Sequence, residues 1–215
     1  MRHPGAKKMP KSTRMYYSPG FSLLELMIAI AILGILLALA QPGFVSVLNA
    51  NRLTGTANEL LTTMQVARSE AVKRNARVVV CRSDNPDAAT PACNTGAGNW
   101  SGWISFVDDG GATPANARNN TLEAGETVLR VGSIQAPLVV VASPAISGAS
   151  QRIVFRADGM ARAATSLLFG QLRVCIPTAE PADNARDLAI ATGSRMGVKK
   201  KNAAGACGAP TNAES

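Results

Sequence analysis

A chain of 215 residues, 47% of them hydrophobic, is long enough for one modest domain with a buried core, and at 4% aromatics that core has to be mostly aliphatic. The formal charge of +8 is unevenly placed: residues 1–20 carry Arg2, Lys7, Lys8, Lys11 and Arg14 and no acid, which leaves 17 basic against 14 acidic residues in the remainder. The single histidine, His3, lies in the same basic stretch, so Ser-His-Asp and Cys-His catalysis and most zinc sites are excluded from everything beyond it.

The basic stretch is followed by Phe21–Ala40, FSLLELMIAIAILGILLALA, in which only Ser22, Glu25 and Gly34 are not apolar. At about 1.5 Å per residue a helix of this length spans the roughly 30 Å hydrocarbon core of a bilayer. It is too long for the apolar region of an ordinary secretory signal. Positive charge upstream and none just downstream holds the N-terminus in the cytoplasm. Glu25 is the exception within the run, at a cost of about 2.5–3.5 kcal/mol on insertion scales. One reading places it near the cytoplasmic interface, where the helix N-terminus tolerates it. The other gives it a cationic partner inside the membrane.

The residues Gly20-Phe21-Ser22-Leu23-Leu24-Glu25, behind a basic leader and ahead of an uninterrupted apolar helix, resemble the type III signal of type IV prepilins and pseudopilins. The resemblance implies cleavage by a prepilin peptidase between Gly20 and Phe21, N-methylation of Phe21, and a Glu25 retained for assembly. In a filament of packed apolar helices the amine of a neighbouring subunit's first residue is the obvious partner for that carboxylate. Pro42 matches the position at which many pilin helices kink, for the physical reason that proline removes a backbone hydrogen bond and clashes with the preceding turn.

Beyond Pro42 the pattern becomes amphipathic. Leu53, Ala57, Leu60, Leu61, Met64, Ala67 and Ala71 recur at helical spacing, with Arg52, Glu59, Arg68, Glu70, Lys73 and Arg74 on the other faces. This predicts a helix running to about Asn75. From Arg77 the sequence turns to short β-branched runs set between Gly, Pro, Asn and Asp. Expected strands are Arg77–Arg82, Gly102–Val107, Thr127–Val131, Leu138–Val141, Arg152–Arg156, Leu172–Ile176 and Asp187–Ala191. Asp158-Gly159 is a hairpin turn signal. The order helix, VVVCRS, a loop with a second cysteine, NWSGWISFVDDG, IVFRADG and LRVC is similar to the GspH/FimT group, which comprises pseudopilins of type II secretion and minor pilins of type IV pili.

The predicted organisation is therefore a leader at 1–20, a transmembrane helix at 21–41, its amphipathic continuation at 42–76, and a β-rich periplasmic domain with a basic tail at 77–215. The fold class is α+β and type IV pilin-like: a long N-terminal helix packed on an antiparallel β-sandwich. The resemblance implies a single-pass inner-membrane protein that is part of a pilus or pseudopilus. Its expected partners are the inner membrane, a prepilin peptidase and other pilins or pseudopilins. No enzymatic activity, cofactor or metal is expected.

An even number of cysteines in a chain that leaves the cytoplasm suggests two disulfides. Of the three pairings open to Cys81, Cys93, Cys175 and Cys207, proximity favours Cys81–Cys93 and, by remainder, Cys175–Cys207. Trp100 and Trp103 flank Ser101-Gly102. They are expected as one buried strand residue and one loop-edge residue, rather than as a stacking platform for a base or sugar. The acidic loop from Asp108 to Glu126 departs from the calcium-loop spacing and is expected to be a solvated loop. Arg195, Lys199, Lys200 and Lys201 form a basic tail that is either a solubilising segment or a DNA-binding surface. Some FimT-type minor pilins bind DNA through Gly-Arg-x-Arg; the matching stretch, Gly193-Ser194-Arg195-Met196, has Ser194 and Met196 where that motif has its two arginines, so the motif is not intact.

Overall fold

A computed structural model describes residues 20–214. The leader's Arg2, Lys7, Lys8, Lys11 and Arg14, and His3, lie outside the described residues. The first element, α1, spans Leu23–Arg74, and a boundary between two units falls between Pro42 and Gly43. Helical structure continues through Pro42, so the proline does not end α1.

In the first unit α1 begins at a capped turn. The Leu24 amide donates to Ser22 Oγ at 3.3 Å, and the Leu26 amide donates to the Ser22 carbonyl at 3.1 Å. Ser22 thus satisfies one of the free N-terminal amides. Phe21, Leu23, Leu24, Leu26, Met27, Ile28, Ile30, Ile32, Leu33, Ile35, Leu36 and Leu37 are all exposed. A helix apolar around its whole circumference needs an apolar surrounding. Among the described residues this is the one helix long and apolar enough to cross a membrane, with a mean hydropathy of 2.8 over its most apolar window.

In the second unit the amphipathic half of α1 lies on two antiparallel sheets. The strands are β1 (Arg77–Ser83), β2 (Gly102–Asp108), β3 (Val128–Ser133), β4 (Val139–Ala142), β5 (Arg152–Phe155), β6 (Ala161–Ala163), β7 (Ser166–Leu167), β8 (Gly170–Cys175), β9 (Ala185–Ala191) and β10 (Arg195–Lys201), with a single-turn helix α2 (Pro144–Ser147) after β4. The larger sheet has the order β3-β2-β1-β5-β6-β7 and the smaller β10-β9-β8-β4. All seven expected strands are present. β6, β7 and β10 are additions; β6 and β7 are too short to leave a pattern, and they follow the Asp158-Gly159 turn, where Gly159 takes φ +73.

The expected helical stripe is the core contact: Leu53, Ala57, Leu60, Met64, Ala67 and Ala71 are fully buried, and Leu61 is partly buried beside them. They share one core with Val78 and Val80 of β1, Ile153 and Phe155 of β5, Leu172 and Val174 of β8, and Leu188 and Ile190 of β9. The opposite face of the larger sheet carries a smaller cluster of Val79, Cys81, Ile104 and Phe106. Two loops supply its cover through Cys93 and Leu122. Such two-sided burial is why β1 and β2 read as near-continuous apolar runs rather than alternating ones.

Two disulfides hold the loops to this frame. Cys81 is bonded to Cys93 with Cα atoms 5.6 Å apart, and Cys175 to Cys207 with Cα atoms 5.8 Å apart. The tryptophan expectation needs correction, because both are buried. Trp100 is 1% and Trp103 0% exposed, with Trp100 Nε1 donating to Gln151 Oε1 at 2.8 Å and Trp103 Nε1 to Thr63 Oγ1 at 3.2 Å. Their polar edges are satisfied inside the core, so neither face is available for stacking.

Candidate assembly and binding surfaces

The N-terminal candidates occupy one exposed helix start. Phe21 is 81% exposed, and Glu25 sits in the first turn of α1, where the unpaired amides and the dipole favour a carboxylate. With the Ser22 cap the segment has the S-x-x-E form of a capping box, so the local helix start uses residues of the Gly20-to-Glu25 sequence motif. Apolar exposure also appears in the second unit, where Phe44 is 66% exposed and Val45, Val47 and Leu48 lie open beside it on α1. Sequence reasoning placed these four in the amphipathic segment without singling them out. The signal was an apolar run ahead of the first core position, Leu53.

The basic stretch at 195–201 is a strand rather than a tail. Met196 and Val198 pack against the core, so the period of two turns Arg195, Gly197, Lys199 and Lys201 to the other face and Lys200 to the core side. Lys200 pairs in register with Arg186, and Lys199 with Asp187. Two apolar residues among five polar or glycine ones left too little alternation to predict β10, and lysines are well tolerated on a sheet edge. The four basic residues therefore do not converge.

The true C-terminal segment, beyond Lys201, crosses the outer face of the smaller sheet. Besides the Cys207 bond, it is held by Ala203 N to Asn184 Oδ1 at 2.8 Å, Arg173 Nη1 to the Gly208 carbonyl at 3.1 Å, and Ala145 N to Asn212 Oδ1 at 2.8 Å. A groove of about 570 Å³ remains between this segment and β9–β10, floored by Ala189, Ala191 and Gly197. Arg195 and Lys199 line it, but so do Asp187 and Glu214. Asp187 is already paired with Arg173, whose guanidinium it pushes up through two bonds of 2.7 Å. The groove thus carries both signs of charge.

In the acidic loop the carboxylates are used by the chain's own amides. Asp108 accepts from the backbone of Arg118 at 2.7 Å and of Asn120 at 3.0 Å. Glu126 accepts from Gly110 at 2.9 Å and Glu123 at 3.0 Å. Burial raises the Glu126 pKa, against the lowering effect of these two amides. Among the described residues no group of three or more His, Cys, Asp or Glu side chains is placed to hold a metal ion.

A family model for the type II transport protein GspH matches residues 56–194, and one for the prokaryotic N-terminal methylation motif matches residues 15–40. The chain belongs to the GspH family. It is a minor pilin or pseudopilin of a type IV pilus-like system, with the apolar N-terminal helix that such proteins carry. The first match begins at Thr56, within the amphipathic half of α1, and runs through β9 to Ser194, just before β10; the second contains Gly20, Phe21 and Glu25. Two crystal structures of the type IV minor pilin FimU from Pseudomonas aeruginosa (strain PAO1) are similar to this GspH-family chain. One is 20% identical with a TM-score of 0.45, covering 76% of this chain and 96% of that one. The other, in a second crystal form, is 19% identical with a TM-score of 0.44, covering 68% and 92%. No curated protein matches the chain significantly.

Proposed function

We propose that the chain is a minor pseudopilin of a type II secretion pseudopilus, made as a precursor and assembled through α1. In this reading a prepilin peptidase cuts between Gly20 and Phe21 and the new Phe21 amine is methylated. The apolar part of α1 holds the subunit in the inner membrane, N-terminus in the cytoplasm and β domain in the periplasm. Glu25 pairs with the N-terminal amine of a neighbouring subunit during entry into the filament, and Pro42 loosens the helix as the subunits pack. The role is structural, with no reaction catalysed.

The observation that carries this reading is the GspH match over 56–194. The test is deletion of the gene in its host, with secreted enzymes, surface pili and DNA uptake measured in parallel. Loss of secretion with pili intact is expected. Loss of pili or of DNA uptake with normal secretion overturns the assignment to secretion.

A second reading, a FimT-like minor pilin that binds DNA for uptake, draws support from Arg195, Lys199 and Lys201 along one exposed face of β10. Three phosphate contacts give a log–log salt slope of about −2.7 on duplex DNA. A titration comparing wild type with alanine at Arg195, Lys199, Lys200 and Lys201 decides it, because equal binding removes β10 as the DNA site.

A further inference from the structure

At the end of the larger sheet, beside the last turn of α1, three arginines from separate parts of the chain line one cavity. Arg77 opens β1, Arg156 follows β5, and Arg118 comes from the acidic loop. The pairing of Val78 with Phe155 sets Arg156 opposite Arg77 at the end of the ladder. The cavity measures about 240 Å³ and is completed by Asn75, Ala76 and Ala157. That volume suits a single small group rather than a nucleotide or a peptide segment.

Charge in this corner is poorly balanced. The Arg77 guanidinium donates to the Arg118 carbonyl at 2.6 Å and to Asn120 Oδ1 at 3.1 Å. Its nearest carboxylate is the buried Asp108, at 3.9 Å, and both oxygens of Asp108 already accept backbone amides. Burial pushes the Arg77 pKa down; Asp108 opposes this, while the charges of Arg156 and Arg118 add to it. Arg156 donates one Nη2 bond to the Ala164 carbonyl at 3.1 Å, and its buried Nε has no partner. Neither Arg156 nor Arg118 forms an ion pair among the described residues. Arg118 is held in the left-handed region at φ +69, a conformation that costs free energy for arginine. The terminal carbonyls of α1 do not offset the cationic charge fully, since those of Ala71 and Val72 accept from Ala76 and Asn75.

We propose that Arg77, Arg118 and Arg156 form a binding site for a dianionic phosphate group, either free phosphate or a phosphomonoester. Asp158, the other carboxylate whose charge Arg156 feels, is neutralised by its own pair with Arg162, so the three guanidiniums against the occupied Asp108 leave a local charge of about +2, which matches a group carrying about −1.5 to −2 near neutral pH better than a monocarboxylate. Planar guanidiniums with unused N–H donors suit the multiple acceptor oxygens of phosphate. The cavity size selects a terminal phosphate over the flanked phosphodiester of a nucleic acid.

The test is isothermal titration of the full mature chain in detergent at about pH 8, where phosphate is the dianion. The probes are inorganic phosphate, phosphoserine, acetate at matched ionic strength, and a single-stranded oligonucleotide. The variants are Arg156→Gln and Arg118→Asn, the latter because asparagine tolerates the left-handed backbone. Near-ultraviolet dichroism of the buried tryptophans reports retention of the fold. Saturable binding of one phosphate or phosphoserine per chain is expected, weakened at least about tenfold in each variant. Tighter phosphoserine binding identifies a monoester as the source, and phosphate alone identifies the free ion. Absence of saturable binding, equal binding by folded variants, equal affinity for acetate, or binding of the oligonucleotide only each overturns the proposal.

Discussion

Replacing Cys207 with alanine separates the C-terminal segment from β8 while leaving the rest of the domain in place. Cys175 is fully buried and as a thiol behaves as a small hydrophobe, so its side of the bond tolerates the change. The bridge closes a sequence separation of 32 residues. In the chain-entropy account that constraint on the unfolded chain is worth about 3.7 kcal/mol. The Cys81–Cys93 bridge, with a separation of 12, is worth about 2.8 kcal/mol on the same basis. For a domain of this size the Cys207→Ala change then lowers the melting temperature by about 7–15 °C, more than Cys93→Ala does.

A second readout is local. No lysine or arginine follows Lys201, so trypsin releases the C-terminal segment in one cut after that residue. Freed from Cys175, the segment keeps its hydrogen bonds to Asn184, Arg173 and Ala145, at about 1 kcal/mol each, and the burial of the small side chains of Pro210 and Ala213, against the entropy of ordering a loop of that length. Trypsin is expected to remove it from Cys207→Ala well before the domain unfolds, and from the oxidised wild type only on unfolding. A melting temperature within about 1 °C of wild type, together with unchanged digestion, would refute the reasoning.

Glu25→Val is expected to insert into membranes as well as wild type or better, since it removes the polar group from the apolar run. It should enter filaments poorly, and filament content at wild-type levels would rule out the proposed pairing with the neighbouring amine. Gly132→Ala is expected to destabilise by about 1–3 kcal/mol, because its Cβ would clash with the indole ring of the buried Trp103; an unchanged denaturant midpoint would show that the indole moves aside at little cost. Asp158 is held low, first by the Arg162 hydrogen bond at 2.6 Å. A carboxylate with a depressed folded pKa stabilises above its unfolded pKa and loses that contribution as pH falls through the folded value. Asp158→Asn should therefore cost stability at neutral pH, by less than about 1 kcal/mol given its exposure, and the difference from wild type should vanish in acid. A constant difference from neutral to acid pH would show that charge is not the cause.

Local chemistry accounts for much of the architecture. The N-terminal segment was legible because hydrophobic length, flanking charge and the Gly20-Phe21 junction are linear properties. The stripe from Leu53 to Ala71 was legible because helical period is local, and the seven strands because β-branched runs stand between turn formers. Each of these patterns is encoded within a few residues of itself, and the matching core contacts follow from it. Both tryptophans proved buried because Thr63 and Gln151, from distant parts of the chain, satisfy their indole nitrogens; no spacing in the sequence announces such partners. β10 had only Met196 and Val198 to mark its alternation, and it is a strand because β9 offers it an edge in register. That pairing divides the basic residues between two faces. The gathering of Arg77, Arg118 and Arg156 depends on a ladder end, a loop return and the close of α1 meeting at one point. Contacts of that kind are set by how the elements pack, which is why ordinary surface arginines in the sequence become a single charged cavity in the folded domain.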